Sequence, residues 1–299
     1  MAMEMAYPNW TADVPDMYQV YGNSGNTSEM PVINVWSWNL GQQMAVLRQL
    51  VNQYRYISVD CKFPGLISRP VGTFHSTSEY HFQTLRTNVD MVDVIQIGLT
   101  LTDAVGNVAP GSPGTWQFNF KFNAQQDMCS AESLEVLGQS GFEFQKHEQE
   151  GIDVFAFAEL LLDSGLVLND QITWISFHAG YDLGYIVSAM LNKNIPVERS
   201  LYLSLVGLYF PNVFDVKTLI KKYKLSDKNG LHDVIQEFGI YRGSSYCLAG
   251  ADSRLVALCY FEVVRLIGEN NARAVKNCIF GLQDDKKDED DIYNRYFHR

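Results

Sequence analysis

The stretch YISVDCKFPG, residues 56–65, constrains the fold more than any other part of the chain. Tyr56, Ile57 and Val59 are the aromatic and β-branched residues that suit a pleated, buried strand, and Pro64-Gly65 stops that strand abruptly. Asp60 therefore falls at a strand's carboxyl end. In an α/β sheet this is where functional groups are presented, because the strand is rigid and its end opens on a crevice. A lone aspartate there caps a turn as readily as it does chemistry, so its company decides.

Two further aspartates occupy comparable positions. FHAGYDLGY, residues 177–185, puts Asp182 just after a second strand spanning 172–177, and AGADSRL, residues 249–255, puts Asp252 at the head of a helix. Val256, Cys259, Val263 and Leu266 share Asp252's face of that helix, so its carboxylate is expected to point inward.

The remaining elements follow from periodicity. Leu40, Met44, Leu47 and Val51 recur at helical spacing, with Asn39 and Gln42 set as a capping box. Residues 69–88 read as a long loop and a short helix, and 92–101 as β-like. Trp116, Phe118, Phe120 and Phe122 alternate with polar residues, which predicts a half-buried, antiparallel strand. Such a row is core more often than it is a base-stacking platform. Residues 129–168 are helical in pattern, with Phe155, Ala158, Leu161 and Leu162 on one side. Leu183, Ile186, Val187 and Met190 form one apolar helix face, and Leu231, Val234, Ile235 and Phe238 another. Strand pairs first, then alternating strands and helices, with no repeat or linker, predict one α/β domain with a mixed sheet over 31–283. Residues 1–30 and the acidic stretch 284–299 read as poorly ordered tails.

No segment has the apolar length of a membrane span and the first thirty residues lack a signal-peptide pattern, so a soluble protein of cytoplasm and nucleus is expected. The five cysteines show no paired spacing, which predicts reduced thiols. Of the net charge of −11, the two tails carry −4 and −2, leaving −5 on residues 31–283. This is not a body that grips nucleic acid by bulk positive charge. It fits a nuclease holding a short strand through metals and a pocket, and equally a protein-binding module.

Three longer segments add specificity: GTWQFNFKF (114–122), QKHEQEGI (145–152) and LLLDSGLVL (160–168). With FPG and the three aspartates in order, the chain resembles the Caf/Pop-type deadenylases, the DEDD-family poly(A) nucleases of the Ccr-Not complex, over roughly 35–282. The resemblance implies a ribonuclease-H-like exonuclease fold, a mixed β-sheet flanked by helices. It implies 3′-to-5′ hydrolysis of poly(A) at Mg²⁺ or Mn²⁺ ions held by Asp60, Asp182 and Asp252. Two such ions, about 4 Å apart, activate water and stabilise both the attacking and the departing oxygen. In the family a Glu two residues after the first Asp shares one ion with the last Asp, the middle Asp holds the other, and a His five residues before the last Asp takes the water's proton. Here those two positions are Lys62 and Cys247. An ammonium in a metal's shell repels the ion, by about 4 kcal/mol per unit charge at 4 Å and an effective dielectric near 20. One ion rather than two is implied. Cys247 is a base only as a thiolate, which an acidic site disfavours. His178 is expected to bond the strand end, and His232 to be polar helix surface. Lys217, Lys221, Lys222 and Lys224 are expected to form a solvated face. Implied partners are the 3′ end of poly(A) RNA and the complex's second nuclease and large scaffold subunits. The alternative is a pseudo-nuclease that keeps the fold as a scaffold.

Overall fold

The computed structural model of the chain describes residues 31–241 and 248–283. Both predicted tails and Cys247 lie outside the described residues. The described strands are β1 (Ile33–Val35), β2 (Tyr56–Lys62), β3 (Gln96–Thr102), β4 (Thr115–Asn119), β5 (Thr173–Ser176) and β6 (Val213–Asp215), in the sheet order β1-β4-β3-β2-β5-β6. β3 runs antiparallel to β2 and β4, whereas β1 pairs β4, and β5 and β6 continue from β2, in parallel. The mixed sheet is as expected.

Helices cover both faces. One face carries α1 (Leu40–Leu50), α2 (Thr77–Met91), α5 (Val154–Leu162), α6 (Gly180–Leu191) and α7 (Arg199–Tyr209), which pack on Ile57, Val59, Cys61, Trp116 and Phe118. The other carries α8 (Val216–Lys222), α9 (Leu231–Glu237), α10 (Ala249–Ile267) and α11 (Glu269–Arg273), packed on Ile175 and Phe214. Two-sided cover corrects one expectation: β4 is buried at every residue rather than on one face. Its aromatics are core, as their period suggested.

Other differences have local causes. Residues 129–168 contain α3 (Ala131–Gln139), α4 (Phe144–Glu150) and α5, separated by turns at Gly141 and Gly151. Phe155 and Leu162 are exposed, while Ala158 and Leu161 of the same helix are buried. Asn39 makes no cap; its Oδ1 accepts from Trp36 N, so the side chain ties the chain before the helix instead. α2 is longer than a short helix, because Ser76 caps it by accepting from Glu79 N. Leu266 lies off the buried stripe of α10.

His147 of α4 is buried, donates Nδ1–H to Phe120 O at 2.7 Å and stacks on Phe142. Burial pushes its pKa down from 6.5 to about 4. A folded-state pKa below the unfolded one contributes stability that is complete above pH 6.5 and is lost as pH falls towards 4. We expect the urea midpoint to fall across that window by the equivalent of ~3 kcal/mol, and His147→Gln to flatten the fall. An unchanged slope in the Gln variant would show that His147 is not its source.

Candidate active site

The geometry of the site starts from the alternation of β2. Ile57, Val59 and Cys61 point into the core under α6, so Asp60 and Lys62 point to the opposite face, towards α10. That helix sits unusually close. Gly98, paired with Asp60 across β3, lets the first turn of α10 approach; a Cβ there would lie 1.9 Å from Ala249 O. Leu248 cannot cap the helix, and the sheet does so instead: Gln96 Oε1 accepts from Ala249 N and Gln117 Oε1 from Gly250 N at 3.1 Å. Asp252, in that first turn, is thereby held over β2.

Lys62 joins the two carboxylates. Its Nζ lies 2.8 Å from Asp60 Oδ2 and 2.5 Å from Asp252 Oδ2. Side-chain exposure is 22% for Lys62, 19% for Asp60 and 3% for Asp252, so these charges are largely withdrawn from water. Burial pushes the Asp60 carboxyl up to about 6, although the Lys62 ammonium opposes this. For Asp252, burial works upward too, but Lys62 and His232 outweigh it and hold the carboxyl below its usual value. The two acids raise the Lys62 pKa against the effect of its own burial.

Asp182 reaches the same strand end from α6. Its Oδ1 accepts from Cys61 N at 2.9 Å and its Oδ2 from Ser176 Oγ. Burial first, and then the Asp60 charge, raise its pKa well above the carboxylate range. The loop before α6 is fixed by Asp215, at the end of β6. That buried carboxylate accepts from the backbone N–H of His178, Ala179, Lys217 and Phe280. It supplies the acceptors that Ala179, the residue preceding α6, lacks. His178 adopts a positive φ of 69° in this loop.

All three predicted aspartates thus converge on the end of β2, two of them through Lys62. Two expectations, for His232 and Lys217, are corrected, while His178 bonds a strand end as expected. His232 is not plain helix surface: its Nε2 lies 3.4 Å from Asp252 Oδ1, and its Nδ1 is buried with no hydrogen-bond partner. His178 bonds Asp215 through its backbone, while its ring packs against Phe280. Lys217 is buried over the Phe280 ring rather than solvated. Sequence reasoning missed Ser176, Cys61 N–H, Asp215 and the Gln96–Gln117 cap. Of these, Asp215 carried a signal, as an aspartate directly before a helix. The others depend on pairing across strands.

Phe63 and Tyr181 stack beside this strand end with centroids 5.4 Å apart. Among the described residues no three His, Cys, Asp or Glu side chains are grouped to hold a metal ion, and no helix is long and apolar enough to cross a membrane. Cys61, Cys129, Cys259 and Cys278 are free thiols.

Residues 35–159 match the CAF1 family ribonuclease model. The poly(A) ribonuclease pop2 of Schizosaccharomyces pombe is 44% identical over 247 residues, 82% of this chain and 73% of that protein. The structure of S. pombe Pop2p in its Mg²⁺- and Mn²⁺-bound form superposes with a TM-score of 0.80 at 42% identity, covering 84% of this chain and all of that one. A chain in the structure of the yeast NOT1 MIF4G domain co-crystallized with CAF1 gives a TM-score of 0.70 at 37% identity, over 84% of this chain and 97% of that one. On the strength of the sheet, the convergent aspartates and these matches, the chain belongs to the CAF1 ribonuclease family.

Proposed function

We propose that this chain is a poly(A)-specific 3′-to-5′ exoribonuclease subunit of a Ccr-Not complex, a deadenylase of cytoplasm and nucleus. The observation that carries this reading is the convergence of Asp60, Asp182 and Asp252 on one strand end in a fold shared with poly(A) ribonucleases. Partners are the 3′ end of poly(A), a second nuclease subunit, and a large scaffold subunit of the kind represented by NOT1.

The residues present fit a divalent ion unequally. Between Asp60 and Asp252 they do not fit one, because the Lys62 ammonium is already within bonding distance of both. On the other side, burial and the Asp60 charge raise the pKa of Asp182, and among the described residues no side-chain cation forms an ion pair with it. A buried carboxylate whose ionisation a neighbouring carboxylate opposes suits a hard cation, and Mg²⁺ commonly takes one or two carboxylates and keeps its waters. We assign a single Mg²⁺ or Mn²⁺ to Asp60 and Asp182. Bound there, it would activate water and offset phosphate charge. The chain itself orients the substrate. Phe63 and Tyr181 offer ring faces for a terminal base, and Ser176 and Cys61 N–H fix the Asp182 carboxylate.

Labelled oligo(A) incubated with the purified protein and Mg²⁺ should shorten stepwise from its 3′ end, and oligo(C) more slowly. No shortening at any protein concentration would overturn the reading. A second reading, a silent nuclease kept as a scaffold, is favoured specifically by Lys62. The scaffold role should be indifferent to the site, because the exposed apolar residues of α7, Leu201 and Leu208, and of α5, Phe155 and Leu162, belong to outer helices. Asp60→Ala should therefore co-purify with the NOT1-like subunit in undiminished yield. Loss of that subunit from a folded variant would tie assembly to the site instead.

A further inference from the structure

Resting on the reading of this strand end as a nuclease centre, we propose that Lys62 is its resident cation, a positioning residue that does for Asp60 and Asp252 what a shared divalent ion would otherwise do. Four observations carry this. Nζ bridges one carboxylate on β2 and one on α10, and so spans two elements that no other side-chain pair of opposite charge joins among the described residues. Asp60 Oδ2, the oxygen that faces Nζ, is buried and has no hydrogen-bond partner, so its compensation is ionic. Asp252 is 3% exposed, too deep for water to screen it. Gly98 brings α10 against β3, so the two carboxylates face each other at short range whatever lies between them. Two buried carboxylates so placed cannot both ionise without a cation.

The ammonium differs from a divalent ion in three ways. It is covalently present, it cannot be chelated away, and it carries one charge instead of two. The first turn of α10 is consequently closed onto β2 before any metal arrives, and an ion can enter between Asp60 and Asp252 only by expelling Nζ. Assembly of the site is thereby separated from metal supply, while the ion at Asp60 and Asp182 stays exchangeable.

The test counts ions and reads melting temperature on the full chain, without RNA, so it is blind to whether the protein shortens poly(A). Mn²⁺ binding is followed by electron paramagnetic resonance of the free ion. The parent should bind one equivalent fewer than Lys62→Glu, and Asp252→Asn added to Lys62→Glu should remove the extra equivalent. Lys62→Met keeps length but not charge. Its melting temperature should fall in EDTA, and saturating Mn²⁺ should raise it by roughly 5 °C more than it raises the parent's, at an ion concentration a hundredfold above Kd for the added site. A lysine that merely fills space would give a loss that Mn²⁺ does not restore. Should Lys62→Met fail to fold in EDTA, folding on addition of Mn²⁺ is the expected result, and failure in both conditions overturns the proposal. Equal stoichiometry in the parent and Lys62→Glu would likewise overturn it.

Discussion

Lys62→Glu is expected to raise the rate of oligo(A) shortening in Mg²⁺ by roughly ten- to a hundredfold, at the scale that changing the groups around metal ligands usually has. The substitution replaces the ammonium 2.8 Å from Asp60 and 2.5 Å from Asp252 with a carboxylate on the same face of β2, two residues from Asp60. Asp60, Glu and Asp252 then present three acids to one point, and a hard cation becomes their natural occupant. Adding Cys247→His, outside the described residues, should raise the rate further by supplying a base with a pKa near neutrality, as the family resemblance implies. Both gains should vanish with Asp182→Ala, which strips the second ion of a ligand and leaves Cys61 N–H and Ser176 Oγ without their acceptor. The measurement is single-turnover shortening of labelled oligo(A). Identical rates in parent and repaired forms would mean that Lys62 does not limit catalysis.

Gly98→Ala should be strongly destabilising. The added Cβ would lie 1.9 Å from Ala249 O, 2.2 Å from Ala249 C and 2.6 Å from Gly250 N. All three are backbone atoms, so no side chain can turn aside. Relief requires the first turn of α10 to withdraw, which breaks the Gln96 and Gln117 caps and pulls Asp252 away from Lys62. Overpacking of this kind costs about 3 kcal/mol, and the loss of the caps adds to it. Gly41→Ala is the matched control: in α1, exposed, an added Cβ meets nothing within 4 Å. It should stabilise by roughly 0.5–1 kcal/mol, because alanine is the better helix former. Urea denaturation of both variants gives the comparison, and a Gly98→Ala midpoint equal to the parent's would show that α10 does not depend on the close approach.

The principal strands and helices, and the three acids that meet at the end of β2, were legible in the sequence. β2 was legible because β-branched residues and a Pro-Gly stop are local signals, and Asp60 followed from it. Asp252 was legible as an inward carboxylate because helical spacing ties it to Val256, Cys259 and Val263, all buried. Even the unusual charge at Lys62 could be read, since period two puts residues 60 and 62 on one face of a strand. What the tertiary structure alone decided is what each charged group meets. Whether Lys62 repels an absent ion or replaces it depends on where Asp252 falls, and that depends on a glycine in β3, two amides from β3 and β4, and a helix some 190 residues downstream. His232 beside Asp252, and Asp215 gathering four N–H groups from three segments, are of the same kind. Local sequence encodes backbone preference and which face a side chain takes. Ion pairs and caps between elements arise only when the sheet order brings distant segments to the same strand end, because their strength depends on separation and burial in space, not on spacing along the chain.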